Sequence, residues 1–342
     1  MTVAARPVAR LSSPGEIVSV VPALCGFVPQ ESLVVISLQG PRKRIGLTMR
    51  FDLGWCRDVP TAAAEVARRL RTDGATRAVL VVHSAEPDDA ALAWAALVQA
   101  VEATCDSVRI DITDALLVRA GRWWSYQCRA ECCPPEGTPV HAAPTAAVQL
   151  VQAEGVLDGR AVLGSRAELV ASIAPPLLVA AASARQHLDR AVGSWLDRFA
   201  REGREGVRSH GLAVARAALD RTLCAEGLSL PEAAELAIAV QDVHVRDEVA
   251  TWSLTRHDAL LSALTQTARL VVPPDDAAVC ALLGWVAYAQ GDGGLANVAL
   301  ARALTGVPDY SLALLLSAML HGQVPPQEVR RLLRDTSRSL RR

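Results

Sequence analysis

Strand-forming runs are confined to the front of this chain, and that asymmetry constrains its fold more than any other feature. Leu33–Leu38 (LVVISL) and Arg77–His83 (RAVLVVH) are apolar and β-branched, the pattern of buried strands. Between them Arg44–Asp52 (RIGLTMRFD) alternates, with Ile45, Leu47, Met49 and Phe51 on one side. It reads as a half-buried strand joined to the first through a Gly40-Pro41 turn. Ala62–Thr72 carries Ala63, Val66, Ala67 and Leu70 at helical spacing. Asp88–Ala103 reads as a further helix, opened by acidic residues that suit a helix N-terminus. Val108–Ile112 and Ala115–Arg119 follow as short strands, and Ala120-Gly121 turns the chain into Arg122–Gln127. The order β-β-α-β-α-β-β predicts an α/β domain over residues 1–143, a mixed sheet with flanking helices.

Beyond Pro144 the strand-like runs stop. Residues 144–176 read as a transition segment: Ser165 and Glu168 have the spacing of a capping box, and Pro175-Pro176 ends the helix it opens. An all-α domain is expected over 177–342. Its helices are read at Leu177–Glu202, Ser209–Ala225, Pro231–Asp242, Asp258–Leu270, Asp275–Gln290, Gly293–Leu304, Ser311–Leu320 and Pro326–Leu340. Within it Leu283–Pro308 resembles the tetratricopeptide pattern. Leu283-Gly284 takes the Leu-Gly pair, Ala296 the small residue where two helices approach, and Pro308 the terminating position. Tetratricopeptide-like hairpins are therefore expected around 244–342.

The 342 residues set a prior of about two domains at roughly 150 residues each. A formal charge of −1, from 35 basic and 36 acidic residues, excludes a globally basic nucleic-acid binder. The arginines of the last helix, such as Arg330, Arg334 and Arg338, read as a solvated helix end, so nucleic acid is not expected as a partner. Leu177–Ala182 and Ala278–Ala289 are the longest greasy stretches and fall short of the ~20 residues that span a bilayer. No apolar leader follows Met1–Arg10, so a cytoplasmic location, no membrane partner and reduced cysteines are expected.

Two places hold residues of chemical interest. His83 ends the most hydrophobic strand and is followed by Ser84, Glu86, Asp88 and Asp89, at a strand end of the kind where such sheets place function. With Glu31 and Ser32 it supplies the candidate catalytic set: His83, Asp88, Glu31 and Ser32. No phosphate loop, dinucleotide fingerprint or nucleophile elbow accompanies it. The second place is Cys128, Cys132 and Cys133, followed by a Pro- and Gly-rich loop containing His141. Three thiolates and an imidazole could complete a tetrahedral zinc site, a cysteine pair could form a reversible disulfide, or the thiols could be structural. Because adjacent Cys132 and Cys133 point in opposite directions on an extended backbone, no cofactor is expected, and zinc is the ion to look for if a metal is held. In the helical half Asp242 and Arg246 stand at i,i+4, where a helix would pair them, with Asp247 adjacent.

Leu11–Ile17 (LSSPGEI), Val21–Val34 (VPALCGFVPQESLV), Cys128 with Cys132–Gly137 (CCPPEG), Val245-Arg246-Asp247 and the helical Leu283–Leu315 region form a further set of short motifs. Together they resemble an actinobacterial family, the domain of unknown function 4192. In that family the position of Glu31 is usually aspartate, so the acidic character is kept. The resemblance implies one family over nearly the whole chain and carries no reaction with it. The functional expectation is therefore a non-catalytic interaction or regulatory protein, with a protein or peptide partner on the helical-repeat face. The alternative is an enzyme acting on a small or nucleotide-like ligand at the carboxyl edge of the sheet. The sequence sets no oligomeric state.

Overall fold

A computed structural model describes residues 9–88, 91–128, 130, 133–140, 144–157 and 162–340. The chain divides into two compact units, Met1–Arg166 and Ala167–Arg342.

The first described element of the first unit is a helix absent from the sequence reading, α1 (Pro14–Cys25). Its signals are local. Ser13 caps it by accepting from Glu16 N, Pro14 stands in the first turn, and Gly26 closes it at φ 79°. Glu16 reaches back to Ser12, accepting from its N at 2.6 Å and its Oγ at 3.0 Å, and also accepts from Thr145 Oγ1 at 2.7 Å. Pro22 inside the helix obscures this span, because a proline lacks the interior N–H that a helix uses.

β1 (Ser32–Gln39) and β2 (Arg44–Asp52) form the expected hairpin, turned at Gly40 with φ 64°. Then come α2 (Val59–Thr72), β3 (Arg77–His83), α3 (Ala95–Ser107), β4 (Asp111–Arg119), β5 (Arg122–Ser125) and the short β6 (Thr138–Pro139). The six strands make one mixed sheet, ordered β2-β1-β3-β4-β5-β6, in which β3 and β4 are parallel and the other pairs antiparallel. One face packs Leu33, Leu80, Val82 and Leu117 with Val66 and Leu70 of α2 and Leu97 and Val101 of α3. The opposite face packs Val34, Ile36, Val79, Val81, Leu116 and Trp123 with Val18 and Val21 of α1.

Two expectations change here. The predicted strands at 108–112 and 115–119 are one strand: register passes from Ala78↔Ile112 to Val79↔Asp114, so Thr113 is an extra residue that interrupts the alternation. The helix expected from Asp88 starts at Ala95, because Trp94 is left-handed at φ 64° and Asp88 is held in the preceding loop, accepting from Ala93 N at 3.0 Å. α4 (Ala146–Leu157) packs on α1, so the early part of the expected transition segment belongs to the first unit.

From α5 (Arg166–Ala171) onward the described chain is helical. α6 (Leu178–Leu223) is broken at Gly203, whose φ of 68° and ψ of −169° are not helical, close to the expected interruption. α7 (Leu230–Ala239) opens on a capping box between Ser229 and Glu232. α8 (Val243–Trp252) was not foreseen as a helix, and Asp242 is its cap, accepting from His244 N and Val245 N. α9 (His257–Leu270), α10 (Ala277–Ala289), α11 (Gly293–Gly306), α12 (Ser311–His321) and α13 (Pro326–Leu340) fall near their expected positions. Every residue of α10 is buried, because α8, α9, α11, α12 and α13 all pack on it. Such a helix is the core of a bundle. None of the described helices is long and apolar enough to cross a membrane.

Candidate functional site

The carboxyl end of the β3–β4 pair is built from a row of strand ends. Ser32 lies opposite His83, His83 opposite Val118, and Val118 opposite Trp123. Since side chains alternate along a strand, Ser32 and His83 belong to the face that carries α1, with Val34, Ile36, Val79 and Val81. Ser84, one residue on, belongs to the α2–α3 face, and its Oγ accepts from Trp94 Nε1 at 3.3 Å.

The carboxylates gather on that second side. Glu31, left-handed at φ 40°, accepts from Ser84 Oγ at 2.9 Å and Ala85 N at 2.6 Å. Asp88 takes both terminal nitrogens of Arg119, at 3.0 and 2.7 Å, and that ion pair holds its carboxyl below the usual range. Arg119 also donates to Glu86 O and lies over the Trp124 ring, 5.0 Å from its centroid. Arg57 repeats the arrangement, paired with Glu86 at 2.9 Å and 5.3 Å from the Trp94 centroid. Tyr126 donates its hydroxyl to Ala93 O, and burial pushes its phenol up. Each carboxylate in this cluster is satisfied by a neighbouring donor of the same cluster.

Of the candidate catalytic set, then, the sheet itself separates the base from the acids. His83 stands on the α1 face and Glu31 and Asp88 on the other, and no hydrogen bond joins them. Ser32 Oγ donates to Gln30 O at 2.6 Å and accepts from Arg50 Nε at 2.8 Å, so its proton is committed to the backbone rather than to an imidazole. His83 is 7% exposed, burial lowers it to about 4, and its Nε2 has no hydrogen-bond partner. It is a neutral imidazole at pH 7. Sequence reasoning missed Arg119, Arg57 and Trp94 because nothing in their spacing marks them. Trp123 stood in view beside the cysteine cluster without its role being read.

Of the proposed zinc ligands, Cys132 and His141 lie outside the described residues. Cys128 N donates to Ser125 Oγ at 3.0 Å, and Cys133 packs against the α1-face core. Among the described residues no group of three or more His, Cys, Asp or Glu side chains is placed to hold a metal. The loop beyond Cys133 is fixed from the strand side. Trp124 Nε1 donates to Pro135 O at 2.9 Å, and Arg122 donates to Glu136 O and Gly137 O, each at 2.8 Å. Gly137 is required there: its φ is 76°, and a Cβ would stand 2.4 Å from the Trp124 ring.

In the helical unit Asp242 and Arg246 do not pair. Asp242 sits outside the helix as its cap and pairs with Arg208 at 3.2 Å, which removes the i,i+4 geometry the sequence suggested. Arg246 is nearly buried, bound to Asp247 at 2.8 Å and to the Tyr310 hydroxyl at 3.2 Å. Gly284 and Ala296 lie where α10 meets α11: a Cβ on Gly284 would come within 2.7 Å of Leu300 Cγ and 3.4 Å of Ala296 O. Pro308 is exposed, just past the end of α11.

No curated protein and no solved structure matches this chain. The model of one family, described as Domain of unknown function (DUF4192), matches residues 14–327. With all but its two ends inside that match, the chain belongs to the DUF4192 family.

Proposed function

We propose that this is a cytoplasmic, non-catalytic interaction or regulatory protein that binds a protein partner on its helical unit. One observation carries the reading. α6 carries one wide apolar face that its own packing covers only in part. Leu188, Ala191 and Trp195 are buried, while Val192, Leu196 and Phe199, along and beside the same stripe, are exposed, Leu196 at 64% and Phe199 at 53%. A helix whose apolar face runs on into water beyond its own packing is suited to a partner, and an exposed aromatic is a common anchor of such contacts. The close approach at Gly284 and the position of Pro308 support tetratricopeptide-like geometry for the α10–α11 hairpin. Because α10 is covered on every side by the unit's own helices, the partner surface is assigned to the outside of α6 rather than to a groove lined by α10. The catalytic alternative draws little support, since its imidazole and its carboxylates stand on opposite faces of the sheet.

The test is a quantitative capture experiment with the full chain and a Leu196→Asp, Phe199→Asp double variant. Both should fold, as judged by circular dichroism, because these side chains are largely solvated. The wild type should retain a partner that the double variant loses, and Leu315→Asp on α12, an equally exposed leucine at 57%, should keep it. Capture of the same partner by the double variant, or of none by the wild type, defeats the proposal.

A further inference from the structure

The exposed edge of the α6 face has a period that points to its occupant. Leu178, Ala182, Arg185, Asp189, Val192 and Leu196 follow one another at alternating steps of four and three residues, and Phe199 continues them. That spacing is the heptad seam of a two-stranded coiled coil. Here it runs ~32 Å along the part of α6 that precedes the break at Gly203. Most of the seam faces water: Leu178 is 89% exposed, Ala182 and Asp189 are exposed, and Val192, Leu196 and Phe199 are exposed further on. Gly193 and Ala200, beside it, are small and exposed. Nothing stands within 4 Å of a Cβ built on Gly193, so a second helix can come close.

The charges of the seam select that helix. Arg185 and Asp189 stand at its middle, with apolar residues on either side. A parallel copy would set Arg185 against Arg185 and Asp189 against Asp189. An antiparallel copy, related by a two-fold axis at position 187, instead sets Leu178 against Leu196, Ala182 against Val192 and Arg185 against Asp189, each twice by symmetry. Every apolar residue then meets an apolar one, and each charge meets its opposite. Asp189 has no ion pair with any described residue, so its carboxylate is available. Arg185 binds Asp275 and Pro273 O through its terminal nitrogens, is 38% exposed, and keeps an Nε bound to no described residue. That leaves a donor for Asp189 of a second copy. We propose that α6 is an antiparallel dimerisation helix, its Leu178–Phe199 seam pairing with the same seam of a second copy of this chain. This pairing rests on the reading of α6 as the partner surface and names the partner. Opposite charges at the centre of an apolar seam fix its orientation and register, as polar seam residues do in coiled coils.

Sedimentation equilibrium of the full chain tests this, and the wild type should be a dimer that dissociates on dilution. Asp189→Arg, at an exposed position, turns two attractive contacts into two repulsive ones and should raise the dissociation constant at least about tenfold. Arg185→Asp should do the same. An equimolar mixture of those two variants should recover the dimer, because the opposed charges are again unlike. Leu196→Asp places a carboxylate in two layers and should leave the chain monomeric. Arg185→Asp also loses its bond to Asp275, so circular dichroism checks its fold; should it not fold, Asp189→Arg and Leu196→Asp decide alone. A wild type that is monomeric throughout overturns the second copy as occupant. If a different protein is then captured by the wild type and lost by Leu196→Asp with Phe199→Asp, the α6 surface stands and only its occupant is wrong. A dimer indifferent to Asp189→Arg overturns the register, and one indifferent to Leu196→Asp overturns the seam.

Discussion

Replacing Gly284 by alanine pits two terms of known sign against each other. A helix interior gains about 1 kcal/mol when glycine becomes alanine. The added methyl, however, would stand 2.7 Å from Leu300 Cγ and 2.8 Å from Leu300 Cδ2. Leu300 is 1% exposed and cannot swing away, because its first side-chain branch point, not a flexible tip, is the atom struck. Overpacking of this kind costs about 1–3 kcal/mol. The difference is a net loss of roughly 0–2 kcal/mol, centred near 1. For a unit of this size that lowers Tm by about 2–4 °C. Urea unfolding followed by circular dichroism measures the change, and Leu300→Ala in the same background identifies the cause. Alone, Leu300→Ala should cost about 2–5 kcal/mol through the cavity it leaves. With Gly284→Ala present it should cost less, since the new methyl fills part of that cavity, giving a coupling of about 0.5–3 kcal/mol. A Gly284→Ala protein more stable than wild type by the full propensity gain, or additive single and double variants, would show that α10 and α11 are not in this contact.

Two more expectations follow from single side chains. Asp242→Ala removes the acceptor for His244 N and Val245 N and strands Arg208, so the helical unit should lose about 1–2 kcal/mol in urea unfolding, and an unchanged midpoint would count against the cap. His83, lowered to about 4 by burial against an ordinary 6.5, contributes stability that is complete above pH 6.5 and is lost as pH falls toward 4. The loss amounts to about 3 kcal/mol in the wild type. His83→Phe should flatten that dependence, and parallel wild-type and variant profiles between pH 7.5 and 4 would refute it.

The helices and strands that sequence reasoning places well are those whose period survives without help. β1 and β3 are apolar at nearly every position, and α9 through α13 carry clean punctuation from Asp292, Pro308 and Pro326. The misplacements share a cause: a tertiary contact overrides a local signal. Asp88 looks like the start of a helix, yet Arg119, distant in sequence, holds it in a loop. Thr113 splits the apparent alternation of β4 because the ladder to β3 takes up an extra residue there. Asp242 looks like the first member of a helical ion pair and instead ends the coil before α8, bound to Arg208. α1 was legible through Ser13, Glu16 and Gly26, and only Pro22 argued against it.

The candidate site was legible in place and illegible in arrangement, for a reason that strand geometry makes general. Sequence proximity groups His83 with Ser84, Glu86 and Asp88, and the carboxyl end of β3 does bring Glu31 and Ser32 beside them. A strand, however, sends successive side chains to opposite faces, so each further residue changes sides. His83 shares its parity with Val79 and Val81 and faces α1, whereas Ser84 shares that of Leu80 and Val82 and faces α2 and α3. Glu31 then follows Ser84 through their hydrogen bond, and Asp88 follows Arg119, which has the parity of Leu117. Parity thus sorts one apparent cluster into two chemistries: paired carboxylates and arginines stacked on tryptophan on one side, and two unpaired ring nitrogens on the other. The second nitrogen, of Trp123, is remote from His83 in sequence and joins it only through the register of β4 with its two neighbours. Once β3, β4 and β5 are known to be adjacent and their register is fixed, that pairing follows from counting residues along each strand.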